Sequence, residues 1–258
     1  FGFGDFVFKL PDGTELERAR NFREMQECVE RVSIESLLFH AESNHFSNWL
    51  IARGEFDLAS RLRPRQVSDF EHPEDLRHFL RDSLSRFRHD RQAGMVTDFN
   101  RDIYDGHAEF LRIGEGSLGG KGRGLAFINK LFNNQLICSV FTGARISVPR
   151  TAVICTGEFD RFMQKNDLLE FALEDHSDEE IIAAFTNATV PRDLEEDLKA
   201  FLAVADYPLA VRSSSLLEDS YYQPFAGIFD THFLPNNHAS LEGRLQRLLA
   251  AIKLIYAS

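Results

Sequence analysis

Residues 114–124 read GEGSLGGKGRG, six glycines and one lysine in eleven positions, set between an extended stretch at 108–113 and a helical pattern that runs to about Asn133. Glycine weakens the interior of a helix or strand, so this density belongs where the backbone turns sharply or another group comes very close. Backbone N–H groups of such a loop, and of the helix after it, can face phosphate oxygens, and Lys121 adds a mobile positive charge. On these residues alone a plain flexible turn remains the alternative.

Two familiar phosphate loops nearly fit. Gly114, Gly116 and Gly119 satisfy GxGxxG, but a dinucleotide site also needs a βαβ unit with an acid at the end of its second strand, roughly twenty residues on. Residues 130–145 contain no acid. A Walker A loop needs a glycine five residues before the GK pair and a hydroxyl after the lysine, and here those places hold Glu115 and Gly122. The segment is a phosphate-cradle candidate of neither class.

The formal charge of −11 disfavours a general nucleic-acid binder, which needs a clustered positive field. Arginines do gather between Arg61 and Arg91, but Asp69, Glu71, Glu74, Asp75, Asp82 and Asp90 lie among them, as on an ordinary solvated surface. Cys28, Cys138 and Cys155 are odd in number and far apart, which fits neither a disulfide framework nor a CxxC metal site. A cytoplasmic location is the expectation, and no apolar run approaches the roughly 20 residues of a membrane span. The chain begins at Phe1, so an excised piece of a longer protein is expected.

Along the chain, residues 3–18 predict a small hairpin around the turn chemistry of Pro11, Asp12 and Gly13. From Glu17 to about Arg91 the pattern is helical, with breaks near Ser33, Asn44, Gly54 and Pro64. Its clearest helix begins at Pro73, followed by Glu74 and Asp75 at the positive dipole end and an apolar face of Leu76, Phe79, Leu80, Leu84 and Phe87. Gly94 ends it, and Val96–Gly106 reads as a connection. The order then becomes mixed, with strands near 152–155, 209–212 and 227–234. Helices are expected at 158–165, after a Ser177/Glu180 capping box, from Pro191 to Ala203, and from Ser240 to Tyr256, where the pattern is amphipathic. The fold class is therefore α+β, with a mostly helical first region over residues 1–105 and a mixed region over 106–258.

Three blocks carry a resemblance: LGGKGRGLAF at 118–127, VPRTAVICTGEFDRF at 148–162 and AVRSSSLLEDSYYQPFAGIFDTHF at 210–233. In this order and spacing they resemble the nucleotide-binding domain of phosphoenolpyruvate synthase and pyruvate phosphate dikinase, over about residues 110–258. The resemblance implies an ATP-grasp-like domain, of which residues 106–258 are the N-terminal part. It also implies an enzyme that passes a phosphoryl group from ATP to a histidine on a separate domain and then to pyruvate.

Lys121 and Arg212 map onto the family's ATP-phosphate contacts, and Gly119, Gly120, Ser213, Ser214, Gly227 and Thr231 fall in the same nucleotide-binding blocks. Ser213 to Asp219 correspond to a mobile loop over the nucleotide. Thr156 reads from the residues as a helix N-cap, while the family's equivalent threonine lies near the nucleotide. Glu218 and Asp219 hold the loop or pair with a cation. Tyr221, Tyr222 and Gln223 depart from the small residues usual there and make the lid bulkier.

The family uses Mg2+, whose carboxylate ligands are expected beyond Ser258 together with the phosphohistidine and pyruvate domains, so this piece alone is expected to be inactive. Residues 45–70 resemble the segment preceding such a domain in a bacterial subgroup of synthase-like proteins, which implies a regulatory or docking role. The histidines His40, His45, His72, His78 and His89 have no metal-like spacing. Beside the enzyme stands a second possibility, a non-catalytic module that senses nucleotide or holds the N-terminal helices for a partner.

Overall fold

The computed structural model describes residues 4–63, 67–92, 94–133, 146–215 and 229–258. The chain divides into two compact units, Phe1–Arg91 and Gln92–Ser258.

The first unit opens with the antiparallel hairpin β1 (Phe6–Lys9) and β2 (Glu15–Ala19), in the register Phe6 to Ala19 and Phe8 to Glu17. Alternation turns Phe6 and Phe8 into the core. The Asp12 carboxylate accepts the Thr14 N–H at 2.9 Å and fixes the turn. Glu17, Arg18 and Ala19, where a helical pattern was expected to begin, instead complete β2. Cross-strand pairing claims them, and the first helix waits for its cap at Asn21, whose side chain accepts the Glu24 N–H.

Helices α1 (Phe22–Arg31), α2 (Ile34–Glu42), α3 (His45–Ala52) and α4 (Phe56–Leu62) follow. Their breaks fall where expected: Ser33 caps α2, and Asn44 takes a left-handed φ of 55° before α3. After a 3-10 turn at Val67–Asp69, α5 (Pro73–Gln92) presents Leu76, Leu80 and Leu84 to a core with Met25, Val29, Leu37, Leu50 and Leu58. Each such fully buried side chain contributes roughly 1.5–3 kcal/mol.

Within that core His40 is only 4 % exposed and lies among the rings of Phe6, Phe8, Phe39 and Phe46. Its Nε2 accepts the Lys9 N–H at 2.8 Å, and its Nδ1 faces His45 Nδ1 at 2.9 Å. Accepting at Nε2 leaves the proton on Nδ1, so the ring is neutral and donates to His45. Burial, then His45 and Lys9, push its pKa down to about 4.

The second unit is built on three parallel strands, β3 (Thr97–Asp98), β4 (Phe110–Ile113) and, after helix α6 (Gly119–Asn133), β5 (Thr151–Ile154). β3 lies inside the segment that reads as a connection. With two residues and no apolar alternation it leaves no signal in the sequence, and its pairing with β4 makes it a strand. Downstream come α7 (Thr156–Lys165), the short α8 (Leu168–Phe171), α9 (Asp178–Asn187) and α10 (Arg192–Val204).

The Ser177/Glu180 capping box is formed in both directions. An antiparallel pair, β6 (Leu209–Arg212) and β7 (Thr231–Leu234), precedes α11 (Leu241–Ala257), which Ser240 caps. The apolar face of α11, with Leu245, Leu248, Leu249 and Ile252 buried, packs on α9, α10 and the β6–β7 pair around Phe162, Leu194 and Leu202. That packing fixes the strand that carries Arg212.

Candidate functional site

The glycine segment divides at Gly119. Residues 114–118 form the loop, and the remaining glycines, read above as loop, already lie in α6. The helix starts early because its first N–H groups find acceptors outside it. Gly119 N–H donates to Ser117 Oγ at 3.1 Å, Gly120 N–H to the Ser214 carbonyl at 2.9 Å, and Gly122 N–H to Ser214 Oγ at 2.8 Å. The Ser214 hydroxyl in turn donates to the Leu118 carbonyl at 2.7 Å. The lysine block and the arginine block, far apart in sequence, are thereby hydrogen-bonded to each other.

The third block joins on the other side. Ser117 N–H donates to Thr156 Oγ1 at 3.0 Å, Thr156 N–H to the Ser117 carbonyl at 3.1 Å, and Gly157 N–H to the Glu115 carbonyl at 2.9 Å. Two glycines make these approaches possible. Gly116 has φ of +103° and a Cβ there would stand 2.6 Å from Thr156 Oγ1, while Gly119 has φ of +72° and a Cβ there would overlap the Ser214 carbonyl. Thr156 is the first residue of α7, and Cys155 takes the cap position without a side-chain hydrogen bond. The Thr156 hydroxyl serves the glycine loop instead of its own helix. Cys155 is fully buried, which raises its thiol pKa and keeps it protonated.

Around this junction the sequence-predicted residues distribute as follows. Gly119, Gly120 and Lys121 occupy the first turn of α6, with Lys121 half-buried. Arg212 ends β6, exposed, and pairs across the hairpin with Thr231 at the start of β7. Among the described residues no acid or carbonyl pairs with the Arg212 guanidinium, whereas Arg31, Arg77, Arg101 and Arg161 each find a carboxylate. Ser213 Oγ accepts the Ser215 N–H at 3.1 Å, which leaves its own proton available for donation. Gly227, Glu218, Asp219 and the three bulky residues Tyr221, Tyr222 and Gln223 lie outside the described residues.

Ser117 and Gly157 belong to the same network, and both left faint signals in the sequence: a serine two residues before a helix start, and a glycine in a helix's first turn. Arg123, exposed on α6, donates through Nε to the Gly119 carbonyl at 3.2 Å.

β4, α6 and β5 compose a βαβ unit, so topology alone leaves a dinucleotide site standing. The acid is what fails. β5 ends at Ile154, Cys155 and Thr156 follow, and the next acid, Glu158, is buried with both carboxylate oxygens on Arg161 Nη1 at 3.0 and 3.1 Å. It cannot serve a ribose.

Compared with known protein families, residues 115–258, more than half of the chain, match the family described as pyruvate phosphate dikinase, AMP/ATP-binding domain. The chain belongs to that family. No curated protein and no solved structure matches it. All three hydrogen-bonded blocks fall within the matched span, so the dikinase-type ATP-binding domain is the context in which their geometry acts.

The Arg212 guanidinium, unpartnered among the described residues, and the Ser213 hydroxyl with its spare proton suit phosphate oxygens, which offer only acceptors. Among the described residues no three His, Cys, Asp or Glu side chains gather into a metal site. Among the described residues, too, no helix is long and apolar enough to cross a membrane.

Proposed function

We propose that residues 106–258 hold the phosphates of ATP through Lys121, Arg212 and Ser213 in a phosphotransferase of the phosphoenolpyruvate synthase and pyruvate phosphate dikinase type. The phosphoryl group passes to a histidine on another domain and from there to pyruvate or a related acceptor, and residues 1–105 regulate or dock. The observation that carries this proposal is Arg212, an exposed cation without a protein partner among the described residues, on a strand whose exit is bonded to the helix bearing Lys121.

Phosphoryl transfer is catalysed chiefly by positioning and by neutralising charge on the phosphate oxygens. A planar guanidinium can take two oxygens at once, and an ammonium follows the charge as it moves. Ser213 would add a neutral donor beside them. The loop at 114–118, fixed to α7 through Thr156 and Gly157, would set how closely the backbone approaches the phosphates.

The test is ATP affinity of the 258-residue chain by calorimetry, with Lys121→Ala and Arg212→Ala. Each substitution removes charge-assisted hydrogen bonds worth roughly 1.5–3 kcal/mol, so each should weaken ATP about 10- to 100-fold while AMP changes less. Equal ATP affinity in both variants and the parent would overturn the assignment.

A further inference from the structure

We infer that Ser214 is a positioning residue: it closes the N-terminus of α6 to anions and sets Arg212 at a fixed offset from Lys121, so that phosphate recognition falls to side chains. The inference rests on the nucleotide site proposed above and deepens it.

A hydroxyl has one proton and two acceptor lone pairs. In Ser214 the proton is committed to the Leu118 carbonyl at 2.7 Å and one lone pair to the Gly122 N–H at 2.8 Å, while its carbonyl takes the Gly120 N–H at 2.9 Å. The Ser214 hydroxyl therefore has no proton to donate to a phosphate unless the Leu118 bond breaks. Its neighbour Ser213 keeps its proton, so the two serines, alike in sequence, divide the work.

The same bonds occupy the helix end. A free helix N-terminus is an anion site because its first N–H groups are unpaired. In α6, Gly119 donates to Ser117, and Gly120 and Gly122 donate to Ser214, so three of the first four N–H groups are already paired within the protein. Ser214 thus sits where an anion would bind. What the arrangement provides is register: Arg212 lies two residues before Ser214, and Lys121 lies between the two glycines that Ser214 holds. The absence of a Cβ at Gly119 lets the Ser214 carbonyl sit against the helix, and a side chain there would drive the blocks apart.

The test uses the full 258-residue chain with ATP and Mg2+ as the probe. Ser214→Ala should lower ATP affinity about 5- to 20-fold, and Ser214→Thr, which keeps the hydroxyl, should recover most of it. In a double-mutant cycle the Ser214→Ala effect should shrink to under twofold in an Arg212→Ala background, because a residue that acts through Arg212 has nothing left to position. Full additivity of the two effects would mean a merely structural role and would overturn the inference.

Hydrogen exchange on the unsubstituted chain gives a second measurement that needs no variant to fold. The Gly120 and Gly122 amides should be protected without nucleotide. Protection that appears only with ATP would show phosphates, not Ser214, at the helix end. If Lys121→Ala and Arg212→Ala abolish ATP binding while Ser214→Ala leaves it intact, only this inference falls. If no variant alters ATP binding, the nucleotide site itself falls.

Discussion

The pH dependence of the first unit can be worked out from His40. Its ring accepts the Lys9 N–H at Nε2, so protonation there would set two donors against each other in a site lined by phenylalanines. Burial, with His45 and Lys9, lowers its pKa from the ordinary 6.5 to about 4. Above pH 6.5 neither the folded nor the unfolded state holds the proton, and the full stability of the unit is present.

As the pH falls below 6.5 the unfolded chain takes the proton first, and stability declines until the folded ring also titrates near pH 4. Two and a half pH units at 1.36 kcal/mol each give a loss of up to about 3 kcal/mol. Trp49, the single tryptophan, packs on Phe6 and Phe22 in this unit and reports its unfolding by fluorescence. Urea midpoints measured from pH 7 to pH 4.5 should fall for the parent chain and fall clearly less for His40→Gln, a non-titrating acceptor. Parallel slopes in the two proteins would refute the assignment of the effect to His40.

Gly119→Ala should release the Ser214 junction, because a left-handed alanine costs about 1 kcal/mol and the displaced carbonyl and hydroxyl forfeit three hydrogen bonds of roughly 1 kcal/mol each; denaturant titration of the second unit and exchange at the Gly122 amide would register it. Ser177→Ala removes one arm of the α9 capping box and should lower the stability of the second unit by about 1 kcal/mol, read as a thermal midpoint a few degrees lower. Ala172→Gly, at the exposed end of α8 and away from both cores, should change neither ATP affinity nor the Trp49 transition by more than measurement error.

Much of this molecule was legible because its local chemistry is strong. Pro73 with two acids behind it, Ser177 three residues before Glu180, and the alternating phenylalanines of β1 each fix an element with the residues at hand. What stayed hidden depended on partners distant in sequence. Thr97–Asp98 becomes a strand only through β4, and Glu17–Ala19 leave a helical pattern only because β1 claims them. The start of α6 at Gly119 follows from acceptors supplied by Ser214.

The candidate site divides in the same way. The types of residue at 121, 212 and 213 announce phosphate chemistry, whereas the different duties of Ser213 and Ser214, adjacent and identical, follow only from where their single protons go. The role of Thr156 was misread for the same reason: a hydroxyl at a helix start looks like a cap until Ser117 arrives to use it.

The Ser214 junction also bears on how the chain folds. Its bonds to Leu118 and Gly122 close loops of 96 and 92 residues, and the Thr156 bond to Ser117 closes one of 39. Closures of that length demand chain entropy before they return any contact energy, so such contacts form after the local helices do. The proposed nucleotide site is then among the last parts of the second unit to appear, and a peptide carrying the glycine segment alone would not possess it. With ATP held at the proposed site, binding would select chains that have already brought β6 back to α6 and would stabilise the finished unit through mass action.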